Sequence, residues 1–194
     1  LTIVSGLSDS HIDHTTLRLE QPLMKPALLS FIKTFDLGFD DISVHTGSKS
    51  IDGDWARNLA HTIISTFKGK RLYTAHKKYN ENLEPVEDVE EFSLTENESD
   101  GTQKIVALSS TILEALLSGH TLVIDELDAR LHPILTQHII RLFNSPQTST
   151  SLAQIIFATH DTNLLSNKIF RRDQVWFTEK DKYGASTLYS LAEY

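Results

Sequence analysis

Cysteine is absent from the 194 residues, which excludes a disulfide scaffold and any Cys-ligated metal site. A reducing cytoplasm is the expected compartment. Long hydrophobic runs are also absent. The longest apolar stretch, 105–117, is interrupted by Ser109, Ser110, Thr111 and Glu114 and falls short of the ~20 residues that a membrane span needs, so no membrane partner is expected. Positive charge is scarce. With 18 Lys and Arg against 26 Asp and Glu, the formal net charge is -8, which argues against nucleic-acid binding over the whole surface. A local basic patch around Lys68, Lys70, Arg71, Lys77 and Lys78 keeps nucleic acid open as a partner. There is no basic start and no apolar core of a signal peptide. The chain starts at Leu1 rather than Met and stops at Tyr194 directly after an expected strand, so the expectation is a piece of a longer protein.

What remains is ordinary for a folded globular domain, with 40% hydrophobic and 23% charged residues. Residues 1–20 carry only weak periodicity. From Pro26 to Phe35, Leu28, Leu29, Ile32 and Phe35 recur on one side of an amphipathic helix, stopped by Gly38. Phe39–Val44 reads as a strand and Gly47–Gly53 as a turn. Trp55, Leu59, Ile63 and Phe67 predict a second helix over 54–67. A strand over Arg71–His76 follows. Residues 79–97 are acidic enough to read as a solvated hairpin or loop, with a strand over Val86–Leu94 inside it.

From Gly101 onward the pattern is regular. Ile105, Leu108, Ile112 and Leu116 mark one face of a helix over 102–118 that Gly119 closes. Thr121–Ile124 is a short apolar strand. Pro133 suits the first turn of a helix lined by Leu135, Ile139, Leu142 and Phe143 and ended by Pro146. Gln154–Ala158 reads as another buried strand, Asp161–Leu165 as a short helix, and Gln174–Thr178 with Ser186–Leu191 as a hairpin around 181–184. The sum is an α/β fold with a mostly parallel core sheet, an antiparallel edge hairpin and flanking helices.

Three segments carry chemistry. The strand 121–124 delivers Asp125 and Glu126 at its C-terminal end, where open α/β sheets place ligands. One carboxylate there suits Mg²⁺, which keeps much of its water shell; the other suits orienting or deprotonating an attacking water. Two acids that merely cap a strand or the next helix are the plain alternative. The run Glu98-Ser99-Asp100-Gly101-Thr102-Gln103 opens the longest helix, where Gly101 permits close approach and free N–H groups face an anion. A simple N-cap by Ser99 or Asp100 explains it equally well alone. Finally, Phe157-Ala158-Thr159-His160-Asp161 ends an apolar strand on His160, a donor for a phosphate or water, or an ordinary half-buried histidine.

Their order removes the ambiguity. Signature-like loop, carboxylate strand, the connecting loop 127–133 and the histidine strand resemble the signature motif, Walker B strand, D-loop and switch histidine of ABC-type ATPase heads. Within these, Glu98–Thr102, Asp125–Asp128 with Leu131-His132-Pro133, Thr159–Asp161 and Arg171–Gln174 are similar to the ATPases of the OLD-like (overcoming lysogenisation defect) group, many of them bacterial anti-phage defence or abortive-infection proteins. The resemblance covers about 90–194 well and 1–90 loosely. It implies a C-terminal half of a head (71–194) preceded by a helical insertion region (1–70), acting as a Mg²⁺-dependent ATPase that dimerises around ATP and controls a nuclease or toxin effector. By the same resemblance Ser99, Asp100, Gly101 and Thr102 contact nucleotide held by a second protomer, with His132 in the D-loop across the interface. Asp125 serves Mg²⁺, Glu126 is the catalytic carboxylate and His160 the switch histidine. Asp100 and His132 stand where transporter heads usually have Gly and Asp.

One motif is missing. No Gly-x-x-x-x-Gly-Lys-Ser/Thr occurs. The lone Gly69-Lys70 pair has Ile64 where the first Gly belongs and is followed by Arg71. The loop that cradles the β- and γ-phosphates is therefore expected from residues upstream of Leu1 or from another chain. Two other functions stay open: a metal-dependent nuclease built on Asp125, Glu126 and Asp128, and a non-catalytic ATP-binding scaffold.

Overall fold

Strand residues gather into three separate ladders in the computed structural model, which describes residues 1–6, 11–46 and 69–194. The first is parallel. Strand β1 (Thr2–Ser5) lies beside β5 (Thr121–Asp125), which lies beside β6 (Gln154–Phe157), in the order β1-β5-β6. The second is antiparallel and joins β2 (Asp41–Thr46), β3 (Lys70–Tyr79) and β4 (Pro85–Ser93) in that order. The third is the hairpin β7 (Trp176–Lys180) and β8 (Ser186–Ser190). This is the expected mixed α/β architecture, with the difference that the hairpin keeps its own ladder. Its turn is drawn tight by Asp181, whose Oδ1 accepts from the amides of Tyr183 and Ala185, with Gly184 at φ 87°.

The helices are α1 (His11–Leu19), α2 (Lys25–Lys33), the single turn α3 (Leu94–Asn97), α4 (Asp100–Ser118) and α5 (Pro133–Asn144). Helix α4 is the axis of the molecule. It buries Ile105, Val106, Leu108 and Ile112, and also Ser109, Ser110 and Thr111. A helix covered all round is a core helix rather than an amphipathic surface one. Its polar flank is answered by α1: Thr15 donates to the Ala107 carbonyl at 2.9 Å and pairs with Ser110 at 2.8 Å, His14 Nδ1 lies 2.8 Å from Ser110 Oγ, and Arg18 pairs with Glu114. Helix α5 starts at Pro133 and its C-cap Ser145 precedes Pro146, as its sequence requires.

One apolar cluster runs through both three-stranded sheets, from Ile42 and Leu72 in the antiparallel one to Leu122 and Ile124 in the parallel one, with Leu28, Ile32 and Leu94 between. Each such side chain fully removed from water contributes about 1.5–3 kcal/mol. The parallel sheet takes β1 from the start of the chain, and the antiparallel sheet takes β2 from one side of residue 70 and β3 and β4 from the other.

Element by element, the acidic stretch is a hairpin of β3 and β4 whose outer strand is exposed along most of its length. Only a 3-10 turn, Thr162–Leu164, stands where a short helix was expected, capped by Asp161. The expected turn over 47–53 and helix over 54–67 lie outside the described residues. Strand β1 and helix α1 have no counterpart among the sequence expectations.

Candidate functional site

The parallel strands end side by side, and their C-terminal ends lead into the candidate residues Asp125, Glu126 and His160. Leu122 and Ile124 are fully buried and anchor β5. Its last residue, Asp125, is exposed, and Glu126 follows half-buried. The turn at Glu126 is sharp, with φ 51°, a conformation that a non-glycine residue holds only when its surroundings enforce it. Three backbone bonds do so. The Leu127 amide donates to the Ala158 carbonyl at 3.0 Å, Ala158 donates to Ile124 at 3.0 Å, and Gly6 donates to Asp125 at 2.6 Å. Gly6 passes so near that a Cβ on it would overlap the Glu126 carbonyl oxygen. The end of β1 thus braces the carboxylate turn from one side and the end of β6 from the other.

Ser99, Asp100, Gly101 and Thr102 form the first turn of α4. Ser99 is its N-cap: its Oγ accepts from the Thr102 amide at 3.1 Å and lies 2.9 Å from Thr102 Oγ1. Ser99 and Asp100 are exposed, and Thr102 is buried. Just before the cap, the Glu98 carboxylate accepts from Thr74 on β3 and lies 2.7 Å from His76 Nε2, which ties the segment to the antiparallel sheet. Among the described residues, then, the four expected binding residues stand at the N-terminus of a 19-residue helix, where the helix dipole and free N–H groups favour an anion.

Two contacts bring this turn to the carboxylate loop. An ideal Cβ on Gly101 would lie 3.2 Å from the Arg130 carbonyl oxygen, so the helix start and the loop are in van der Waals range. One turn further on, the buried Lys104 sends its ammonium into the loop, donating to the carbonyls of Glu126 at 3.2 Å, Leu127 at 3.0 Å and Ala129 at 2.5 Å. Burial pushes the Lys104 pKa down to about 8. Arg130 adds to that depression, while Asp128 and Glu126 oppose it. Lys104 is a residue that sequence reasoning missed. The signal was present: it lies four and eight positions before Leu108 and Ile112, a cation in phase with the buried stripe.

The loop also reaches the histidine strand. Asp128 Oδ1 accepts from the His160 amide at 3.3 Å. Burial by itself would raise the Asp128 pKa, but bonds from the Thr159 hydroxyl and from backbone amides, with the nearby His160, hold it below the usual carboxylate range. Asp128 therefore stays ionised and is committed to the 159–160 segment. His160 is exposed at the end of β6. His132 is the N-cap of α5, its Nδ1 accepting from the Ile134 amide at 3.3 Å. Beside His160, Asp161 Oδ2 is buried with no hydrogen-bond partner among the described residues, an unfilled acceptor.

Among the described residues no group of three or more His, Asp or Glu side chains converges on one point; the exposed Asp125 carboxylate would suit Mg²⁺ only as a single protein ligand, the rest of the coordination coming from water and a phosphate. Gly69-Lys70 is no phosphate loop: Lys70 begins β3 and pairs with Glu20 at 2.6 Å. The basic patch is likewise neutralised, with Arg71 beside Glu96 at 3.6 Å, Lys77 on Asp40 at 3.0 Å and Lys78 on Asp88 at 2.8 Å; Lys68 lies outside the described residues. No helix among the described residues is long and apolar enough to cross a membrane.

Compared with known proteins, residues 35–166 match the profile of a family described as "AAA domain, putative AbiEii toxin, Type IV TA system". That span is more than half of the chain. No curated protein matches the sequence.

Proposed function

The chain belongs to this AAA-domain family, and on that premise we propose that it is the catalytic-carboxylate half of an ABC-type ATPase of the OLD-like kind. Asp125 holds Mg²⁺, Glu126 positions the attacking water and takes its proton, and His160 contacts the γ-phosphate. Ser99, Gly101 and Thr102, with Asp100 beside them, face the γ-phosphate of ATP bound to a second copy, and His132 lies in the loop that crosses between copies. Residues 71–194 act as the second half of the head, and 1–70 lead into it. Closing of the pair on ATP and its release after hydrolysis govern a partner effector, a toxin or nuclease of a defence system.

One observation carries the assignment. The turn 126–130 is fastened to the first turns of α4 through Lys104 and Gly101 and to the end of β6 through Asp128. The three elements that bear the proposed nucleotide-facing groups are thereby tied together through this turn. When bound at Asp125, Mg²⁺ would neutralise phosphate charge; the protein supplies position, with two carboxylates on a turn of fixed backbone and a histidine one strand away for one nucleotide, and a helix N-terminus for that of the second copy.

No Gly-x-x-x-x-Gly-Lys-Ser/Thr loop occurs in the sequence, and the outer edge of β6 is where a strand bearing one would add. That edge pairs with no strand among the described residues, Ile156 is 59% exposed on it, and the unfilled Asp161 Oδ2 lies at its end. The nuclease alternative loses support from Asp128, whose carboxylate is engaged with Thr159 and His160 rather than with Asp125 and Glu126.

The test is steady-state ATP turnover by the native protein beside its Glu126→Gln variant. The expected outcome is Mg²⁺-dependent hydrolysis by the parent and a fall of about 100-fold or more in kcat for the variant, with ATP binding retained. Equal turnover by both, or none by either, would remove Glu126 from the reaction.

A further inference from the structure

The geometry points to Lys104 as a positioning residue that locks the nucleotide-facing helix α4 and the carboxylate turn 126–130 into one rigid body, so that displacement of the helix start is passed to Glu126. This role rests on the ATPase assignment and adds to it a residue that neither contacts nucleotide nor carries out chemistry.

The observations are local and specific. Lys104 is 8% exposed, so its ammonium has little access to water. An ammonium has three N–H donors, and three backbone carbonyls take them: Glu126, Leu127 and Ala129, at 3.2, 3.0 and 2.5 Å. All three belong to the turn that leaves the carboxylate strand. That turn has left-handed residues at both ends, Glu126 at φ 51° and Arg130 at φ 61°. Neither is glycine, so the conformation is held from outside rather than by preference. Its own bonds, Ala129 N–H to Glu126 and Leu131 N–H to Asp128, close the turn but do not anchor it to the helix. Lys104 does, with Gly101 packed against the Arg130 carbonyl as a second close approach from the start of the helix.

A charged donor is suited to this task. Bonds from an ionised group are stronger than neutral ones, and removing a buried donor strands the carbonyls it served. The Glu126 carboxylate sits on the very residue whose carbonyl Lys104 holds. A shift of the Glu126 backbone by a fraction of an ångström moves the point at which the carboxylate meets a water, and small misplacements of this kind carry large rate penalties. Binding by the exposed Ser99 and Asp100 is a separate matter and stays largely independent of Lys104.

The experiment uses the native protein and four variants: Lys104→Met, which keeps the apolar stem and removes the donors; Lys104→Arg, which keeps a cation but is planar and cannot meet three converging carbonyls in the same way; Glu126→Gln; and the Lys104→Met/Glu126→Gln double variant. For Lys104→Met we expect a roughly 10- to 100-fold fall in kcat with KM for ATP changed by no more than about threefold, and for Lys104→Arg a smaller fall of the same kind. Because Lys104 acts through Glu126, adding Lys104→Met to Glu126→Gln should lower turnover by less than about twofold more. A merely structural lysine would instead scale activity with the folded fraction and add its full effect in the double variant. Should Lys104→Met not fold, Lys104→Arg decides: a parental kcat in that folded variant overturns the inference. Parent and Glu126→Gln proteins that hydrolyse ATP equally would remove the ATPase assignment and this role with it. Turnover that needs Glu126, beside a parental kcat in folded Lys104→Met, would remove the role of Lys104 alone.

Discussion

Gly6 has no room for a side chain. Its amide donates to Asp125 at 2.6 Å, and a Cβ would overlap the Glu126 carbonyl oxygen and crowd that of Asp125, 2.7 Å away. Both obstacles are backbone, which cannot swing aside as a side-chain tip can. Gly6→Ala should therefore push β1 away from the carboxylate turn and destabilise the protein by about 1–3 kcal/mol, read as a lower urea midpoint. An unchanged midpoint would mean that β1 does not brace the turn. At this scale the sequence is readable where a residue type is unusual for its place. Asp125 and Glu126 stood out as two carboxylates ending an apolar strand, and His160 as a polar end to another. Lys104 showed only as a cation in phase with a buried stripe, and Gly6 not at all, because what defines their roles is contact with backbone atoms far along the chain: Lys104 reaches carbonyls 22 to 25 positions away, and backbone carries no residue-type signal.

Elements were legible in proportion to their caps and their length. Helix α4 announces itself by Ser99 before it and Gly119 after it, the latter at φ 69° with its amide bonded to Ala115, and α5 by Pro133 and Pro146. Strand β1 and helix α1 were hidden for a physical reason. β1 has four residues and pairs in parallel with a strand some 120 positions later. The inward residues of α1 include Thr15 and Thr16, which do not register in an apolar pattern: the Thr15 hydroxyl is answered by the Ala107 carbonyl and Ser110 hydroxyl of α4, and that of Thr16 by the Ile12 carbonyl of its own helix. The start of α4 combines a structural and a proposed functional role in one hydroxyl, and the two can be separated. Asp is as good an N-cap as Ser, so Ser99→Asp should keep the stability of the protein within about 0.5 kcal/mol. It also places a carboxylate where the proposed γ-phosphate of the second copy arrives, and turnover should fall at least about tenfold. A Ser99→Asp protein with parental kcat and KM would reduce Ser99 to a cap.

Over the whole molecule, the decisive feature is that one apolar cluster serves both three-stranded sheets. Ile42 on β2 and Ile124 on β5 are both fully buried and belong to the same cluster, linked through residues such as Leu28, Ile32, Leu94 and Ile112. Helix α4 stands between them, and Glu98 at its start is bound to Thr74 and His76 of the antiparallel sheet while Lys104 is bound to the end of the parallel one. Most of the other strands and helices were readable along the chain, but this sharing was not, because periodicity tells which side of an element is buried and not which other element covers it. Its consequence is cooperative unfolding. Ile42→Ala and Ile124→Ala each remove a fully buried side chain and should each cost about 2–5 kcal/mol. If the two sheets form a single unit, both substitutions lower one and the same thermal or denaturant transition, seen alike by far-ultraviolet circular dichroism and by tryptophan fluorescence. If each substitution lowers a different transition and leaves the other in place, the antiparallel sheet is an independent unit, and motion at α4 would then reach the carboxylate turn through Lys104 without any help from the core.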